Sequence, residues 1–150
     1  MLHIYVDADA CPVKGEVYKV AERYALPVTL VANSFMRVPS AAWLKLVVVE
    51  QGQDEADDWI VEHAEKDDIV VTGDIPLAAR CLDKEARVLG HTGRPFTPEN
   101  VGDSLATRQL LKQLREQGIM RGGPPPFSPK DRSLFLQQLD QMIQAIRRGS

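Results

Sequence analysis

Apolar runs of strand length alternate with amphipathic segments of helix length along the first two thirds of this chain, and that alternation leaves few folds open to it. Ile4-Tyr5-Val6, Val28 to Ala32, Leu46 to Val49, Asp68 to Thr72 and Arg87 to Leu89 read as strands. Val13 to Ala25, Asp54 to Lys66 and Pro76 to Lys84 carry apolar residues at helical spacing between them. Val13, Val17, Val20, Ala21 and Tyr24 share one face of the first, and Ala56, Trp59, Ile60 and Ala64 one face of the second. Strands and helices in this order imply βαβ units with right-handed crossovers. The expected fold class is α/β: three layers, a mainly parallel sheet with helices on both faces, a Rossmann-like core and a C-terminal helical extension.

The strands end on acid. Val6 is followed by Asp7-Ala8-Asp9-Ala10-Cys11-Pro12, and Thr72 by Gly73-Asp74-Ile75-Pro76, so strand, acid, proline and helix recur in that order. A third cluster, Asp54, Glu55, Asp57 and Asp58, opens the second helix. Ligands in open α/β sheets bind beyond the carboxyl ends of the strands, where all three junctions converge. Asp is also a common loop residue and helix N-cap, and acids in a first turn suit the helix dipole. Four acids in five positions exceed what capping requires, because two full charges about 4 Å apart repel by about 4 kcal/mol at an effective dielectric of 20. The helical face pattern places Asp58 toward solvent and Asp57 on the flank of the core face. Asn33 and Ser34 end the second strand at the same edge if it runs parallel to the first.

A chain of 150 residues is the usual size of one domain and buries about 70% of its unfolded surface without staples. A single domain over residues 1–150 is expected, with a core of about 1–103 and a helical extension of about 104–150. No apolar run approaches a membrane span, and acid at Asp7 leaves no room for a signal-peptide core, so the expected location is the cytoplasm. Cys11 and Cys81 lack metal-type spacing and are expected as reduced thiols; His3, His63 and His91 are scattered and read as structural or solvated.

Charge is divided unevenly. Residues 1–103 hold 10 basic against 18 acidic side chains, and residues 104–150 hold 8 against 3, for a net charge of −3. The basic end spans an expected helix from Asp103 to Glu116, a Gly/Pro-rich loop from Gly118 to Asp131 and a last helix from Ser133 to Arg147. Arg108, Lys112, Arg115, Lys130 and Arg132 are candidates to neutralise a nucleic-acid backbone; scattered charges also make an ordinary solvated helix face.

Three segments together resemble the YaiI/YqxD family of bacterial proteins: Val6-Asp7-Ala8-Asp9-Ala10-Cys11-Pro12-Val13, the stretch from Asp68 to Ala78, and Gly122-Gly123-Pro124 with Lys130-Asp131-Arg132. The resemblance spans nearly the whole chain. That family's function is uncharacterised, and the resemblance implies a PIN-like core, a class in which many members are metal-dependent nucleases. It maps the acids of such a core onto Asp7, Asp9, Asp54, Asp57 and Asp74.

Three functions follow as expectations. The first is a Mg²⁺- or Mn²⁺-dependent phosphodiesterase acting on RNA or DNA, since oxygen-only ligands suit these hard ions. In it Asp7, Asp9 and Asp74 are catalytic, Asp54 and Asp57 complete the metal ligands, and Asn33, Ser34, Arg108, Lys112, Lys130 and Arg132 contact substrate. The second is a non-catalytic RNA- or protein-binding module whose acids hold a structural metal or cap helices. The third is a phosphatase of the haloacid-dehalogenase type, because Asp7-Ala8-Asp9 mimics its Asp-x-Asp signature and Gly73-Asp74 its late acidic motif; the sheet region between these motifs is short and holds no well-placed Ser/Thr and Lys pair.

Overall fold

The computed structural model describes residues 2–52, 54–102 and 127–149. Its elements are β1 (Ile4–Asp7), α1 (Lys14–Tyr24), β2 (Val28–Ala32), β3 (Leu44–Val48), α2 (Glu55–His63), β4 (Ile69–Val71), α3 (Ile75–Asp83), β5 (Arg87–Leu89), β6 (Pro95–Phe96) and α4 (Pro129–Arg147). They form one six-stranded sheet in the order β3-β2-β1-β4-β5-β6. All neighbours pair parallel except β5 and β6, which are antiparallel. The mainly parallel α/β architecture expected from the strand and helix alternation is the one observed.

The period of two along each strand divides the core into two layers. Ile4, Val6, Leu30, Ala32, Ile69, Val71 and Leu89 face one side, together with Val17, Val20 and Ala21 of α1 and Phe135, Leu139 and Ile143 of α4. Tyr5, Val31, Val70 and Val88 face the other, against Ala56 and Ile60 of α2 and Leu77, Ala78 and Cys81 of α3. Central strands buried on both faces read as continuous valine and isoleucine runs, which is why they were legible without polar alternation. Cys11 and Cys81 are free, buried thiols in opposite layers.

Several boundaries differ from expectation. β3 begins at Leu44 rather than Leu46, because it is an edge strand paired along its whole length with β2, Val28 opposite Leu44. No element is expected between Leu89 and Asp103, where the chain forms β6 and turns helical over residues 98–102. α4 starts four residues before Ser133, where Ser128 and Asp131 form a capping box and Pro129 takes the first helical position. The expected helix from Asp103 to Glu116 and most of the loop after it lie outside the described residues. No described helix is long and apolar enough to cross a membrane.

The β5–β6 turn is locked onto α4. Gly93 has φ +83°, and a Cβ there would lie 2.8 Å from Leu134 C and Phe135 N. Left-handed strain and backbone overlap add, so Gly93→Ala is expected to cost about 2–4 kcal/mol. For a chain of this size that is a fall in Tm of roughly 8 °C by thermal melt; an unchanged Tm would show that the turn and α4 are not held together.

Candidate functional site

The strand order reverses between β1 and β4, and it is beyond this switch point that a doubly wound sheet opens its binding crevice. Asp7 is the last residue of β1, Asp9 lies in the turn to α1, and Asp74 is the N-cap of α3 just after β4. All three line a cavity of about 430 Å³ with Ala10, Gly73, Ile75 and His91.

Each of these carboxylates is held by one oxygen. Asp7 Oδ2 accepts a 2.9 Å bond from Thr72 Oγ1, and the same hydroxyl accepts a 3.0 Å bond from the Asp74 amide. Thr72, fully buried, therefore ties the end of β1 to the start of α3. Asp74 Oδ1 caps α3 by accepting from the Leu77 amide at 2.9 Å, and Asp9 Oδ2 accepts from the Asn33 amide at 2.9 Å. Among the described residues the second oxygen of each carboxylate has no hydrogen-bond donor. One oxygen fixes the rotamer and the other remains for a ligand.

The charges oppose one another. Burial first, and then the Asp74 and Asp9 charges, push the Asp7 carboxyl up from its ordinary value, while the Thr72 hydroxyl pulls it down. Asp57, on the first turn of α2, is raised from 3.8 to about 6 by burial and by Asp74, Asp7 and Asp54. Asp54 sits at the α2 N-cap in the left-handed region with φ 71° and makes no side-chain cap bond, so capping does not account for it. Asp58 is turned away to an exposed ion pair with Arg80 at 2.9 Å.

Because the folded Asp57 carboxyl holds its proton to about pH 6, its penalty is absent below pH 4 and complete above pH 6. Asp57→Asn is therefore expected to stabilise the protein at pH 7.5. Solvent reaches part of the side chain and screens its charge, which reduces the gain to about 1 kcal/mol, or about 2–4 °C in Tm. Melts at pH 7.5 and pH 4 check the sign: the difference between variant and wild type should vanish at the lower pH.

The other sequence candidates are distributed differently. Asn33 joins the site through its backbone, its side chain donating to Gly52 O at 3.4 Å, and Ser34 is exposed on the following loop. Arg132 is committed elsewhere, to Glu16 at 2.7 Å and to the Pro12 carbonyl at 2.6 Å. Lys130 stands exposed in the first turn of α4. Arg108, Lys112 and Arg115 lie outside the described residues.

Two residues at the site were not singled out from sequence. His91 lines the cavity, its ring packed over Gly73, where a Cβ would come within 3.2 Å of Nδ1. Burial and the nearby Lys14 charge lower its pKa, so it is neutral at physiological pH. Lys14 opens α1 and donates to Cys11 O at 3.0 Å and Ala8 O at 3.4 Å, clamping the turn that carries Asp9.

The donor set is hard oxygen, which fits Mg²⁺ or Mn²⁺. Among the described residues no three His, Cys, Asp or Glu side chains close on one point, as a wholly protein-ligated ion requires. Mg²⁺ is commonly bound by one or two carboxylates, with water and substrate phosphate supplying the rest. Asp7 and Asp74, each with one oxygen lacking a protein donor, fit that smaller requirement.

Comparison with known proteins places these residues in a family. A family model described as "Uncharacterized BCR, YaiI/YqxD family" matches residues 5–145. The chain is 58% identical to a UPF0178 protein of Parvibaculum lavamentivorans over 148 residues, covering 99% of this chain and 97% of the relative. It is 55% identical to a UPF0178 protein of Rhodopseudomonas palustris, covering 99% and 94%. With a UPF0178 protein of Paramagnetospirillum magneticum it shares 53% identity, covering 99% and 98%. No solved structure matches. With the match running from Tyr5 in β1 to Ala145 in α4, the chain belongs to the YaiI/YqxD family.

Proposed function

We propose that the protein is a Mg²⁺- or Mn²⁺-dependent phosphodiesterase acting on RNA or DNA. The observation that carries this reading is the convergence of Asp7, Asp9 and Asp74 on one cavity at the β1/β4 switch point. Like charges so placed destabilise the empty site, and a divalent cation removes the penalty. Asp7 and Asp74 would hold the ion, with Asp9, Asp54 and Asp57 acting on it through bound water. When bound, the cation supplies Lewis-acid stabilisation of the charge that develops on the phosphate, and a more acidic water. The chain's own contribution is positional: Thr72 sets Asp7 against Asp74, the Asn33 amide holds Asp9, and Lys14 holds the turn between. The cap bond at Asp74 favours a second reading, a non-catalytic nucleic-acid- or protein-binding module in which these acids serve loop and helix geometry.

Calorimetric titration of Mn²⁺ into wild type and Asp7→Asn/Asp74→Asn, with cleavage assays on labelled single-stranded RNA and DNA, separates the two. Saturable binding lost in the variant, with metal-dependent cleavage by wild type alone, supports the phosphodiesterase. Equal heats in both proteins and no cleavage would leave the binding module.

A further inference from the structure

A second cavity, of about 600 Å³, adjoins the acidic one and shares Gly73, Ile75 and His91 with it. Its chemistry is different. Where the first is lined by Asp7, Asp9 and Asp74, the second is lined by Phe96, Phe127 and Arg94, with no acidic residue among its described lining. Among the described residues Arg94 forms no side-chain hydrogen bond or ion pair. His91, in the wall common to both cavities, has a buried Nε2 with no hydrogen-bond partner among the described residues.

The walls are built in advance of any ligand. Arg132 Cζ stands 5.0 Å from the centroid of Phe127, and its guanidinium is itself fixed by Glu16 and by Pro12 O. The turn carrying His91 and Arg94 is closed by Gly90 N to Arg94 O at 2.9 Å and Gly93 N to Gly90 O at 3.0 Å. Phe96 packs close against that turn, leaving 3.2 Å between its Cε2 and a Cβ placed on Gly90. A preorganised aromatic wall binds without a large ordering cost.

A ligand that fills both cavities needs a phosphate for the cation-holding end, a flat ring with polar edges for the aromatic end, and a second anionic group for Arg94. We propose that the second cavity seats an unpaired nucleobase of single-stranded RNA or DNA beside the phosphodiester held at the acids, stacked against Phe127 or Phe96 with Arg94 on a neighbouring phosphate. This rests on the phosphodiesterase reading. Bases stack on aromatic side chains whatever their identity. A duplex keeps its bases inside the stack and cannot offer one without unpairing.

The test uses the Asp7→Asn/Asp74→Asn protein, which is expected not to cleave and needs no metal to relieve repulsion, so the subsite is read apart from catalysis. Fluorescence anisotropy compares labelled 12-nucleotide strands of RNA and of DNA, an abasic 12-mer and a duplex. Base-containing single strands should bind at least about fivefold tighter than the abasic strand. Adding Phe127→Leu should abolish most of that preference while leaving abasic binding unchanged. Thr92→Trp, at an exposed position lining the cavity, should do the same by filling it. Arg94→Ala should weaken both strands and reduce the salt slope by about one phosphate contact. Equal affinity for the abasic strand or the duplex, or no binding of any strand, overturns the proposal. If base preference holds while wild type binds no metal and cuts nothing, the subsite stands and the catalytic reading fails.

Discussion

Phe135→Ala is expected to destabilise the protein by about 3–5 kcal/mol, the range for emptying a fully buried aromatic position. Domains of this kind are stable by only about 5–15 kcal/mol in total, so the variant should lose at least about a fifth of its stability. Phe135 is completely inaccessible, as are Leu139 and Ile143 one and two turns on, and the three close one layer of the sheet together with α1. The hole left by the ring opens in the same core layer as Ile4, Val6 and Leu89, whose fixed strands limit how far the layer can collapse. Urea denaturation should show a lower midpoint with little change in slope. Gln137→Ala, on the exposed face of the same helix, should stay within about 0.5 kcal/mol of wild type. A Phe135→Ala loss below about 1 kcal/mol would mean that α4 is not part of the cooperative core.

That expectation could not have been written from the sequence, where the C-terminal third reads as an extension to a Rossmann-like core. Phe135, Leu139 and Ile143 recur every fourth residue and mark an amphipathic helix. Nothing in the periodicity says which layer the helix covers. Its start was legible and passed over: Ser128-Pro129-Lys130-Asp131 is a capping box with proline at the first helical position, hidden at the end of a Pro-rich loop. β6 carries no such signal, since two residues have no period, and Leu44-Lys45 joins β3 only because β2 pairs with it.

The site divides in the same way. Strand-end acids predict a shared edge because parallel strands bring their carboxyl ends together, and Asp7, Asp9 and Asp74 do line one cavity. The same argument applied to the fifth strand leads to His91, two residues beyond Leu89, but a histidine without metal spacing reads as structural or solvated. Arg132 reads as a free cation next to Lys130-Asp131, and only the tertiary structure shows it bound to Glu16, 116 residues earlier in the chain. Lys14 holds two turn carbonyls, a role that depends on Ala10 adopting φ 59°.

Asp7→Asn is expected to separate function from stability in the direction opposite to Phe135→Ala. The amide keeps the carboxylate's shape and can still pair with Thr72 Oγ1, so the junction between β1 and α3 is preserved. What disappears is a half-buried negative charge facing Asp74 and Asp9; burial first, and then their repulsion, raises the Asp7 carboxyl in the wild type. A carboxyl raised on folding gives stability at low pH that is lost as pH rises through its folded value, so removing the charge should leave Tm at pH 7.5 equal to or above that of wild type. Metal affinity should fall about 10–100-fold, as when an ion's ligand shell is disturbed, and cleavage of single-stranded substrate by about 100-fold or more. Excess Mn²⁺ should recover the binding loss only in part, because the missing charge also acts on the phosphate. A fall in cleavage accompanied by an equal fall in Tm would assign Asp7 to the core. Undiminished metal binding and cleavage at an unchanged Tm would remove Asp7 from the site and place the reacting centre elsewhere on the chain.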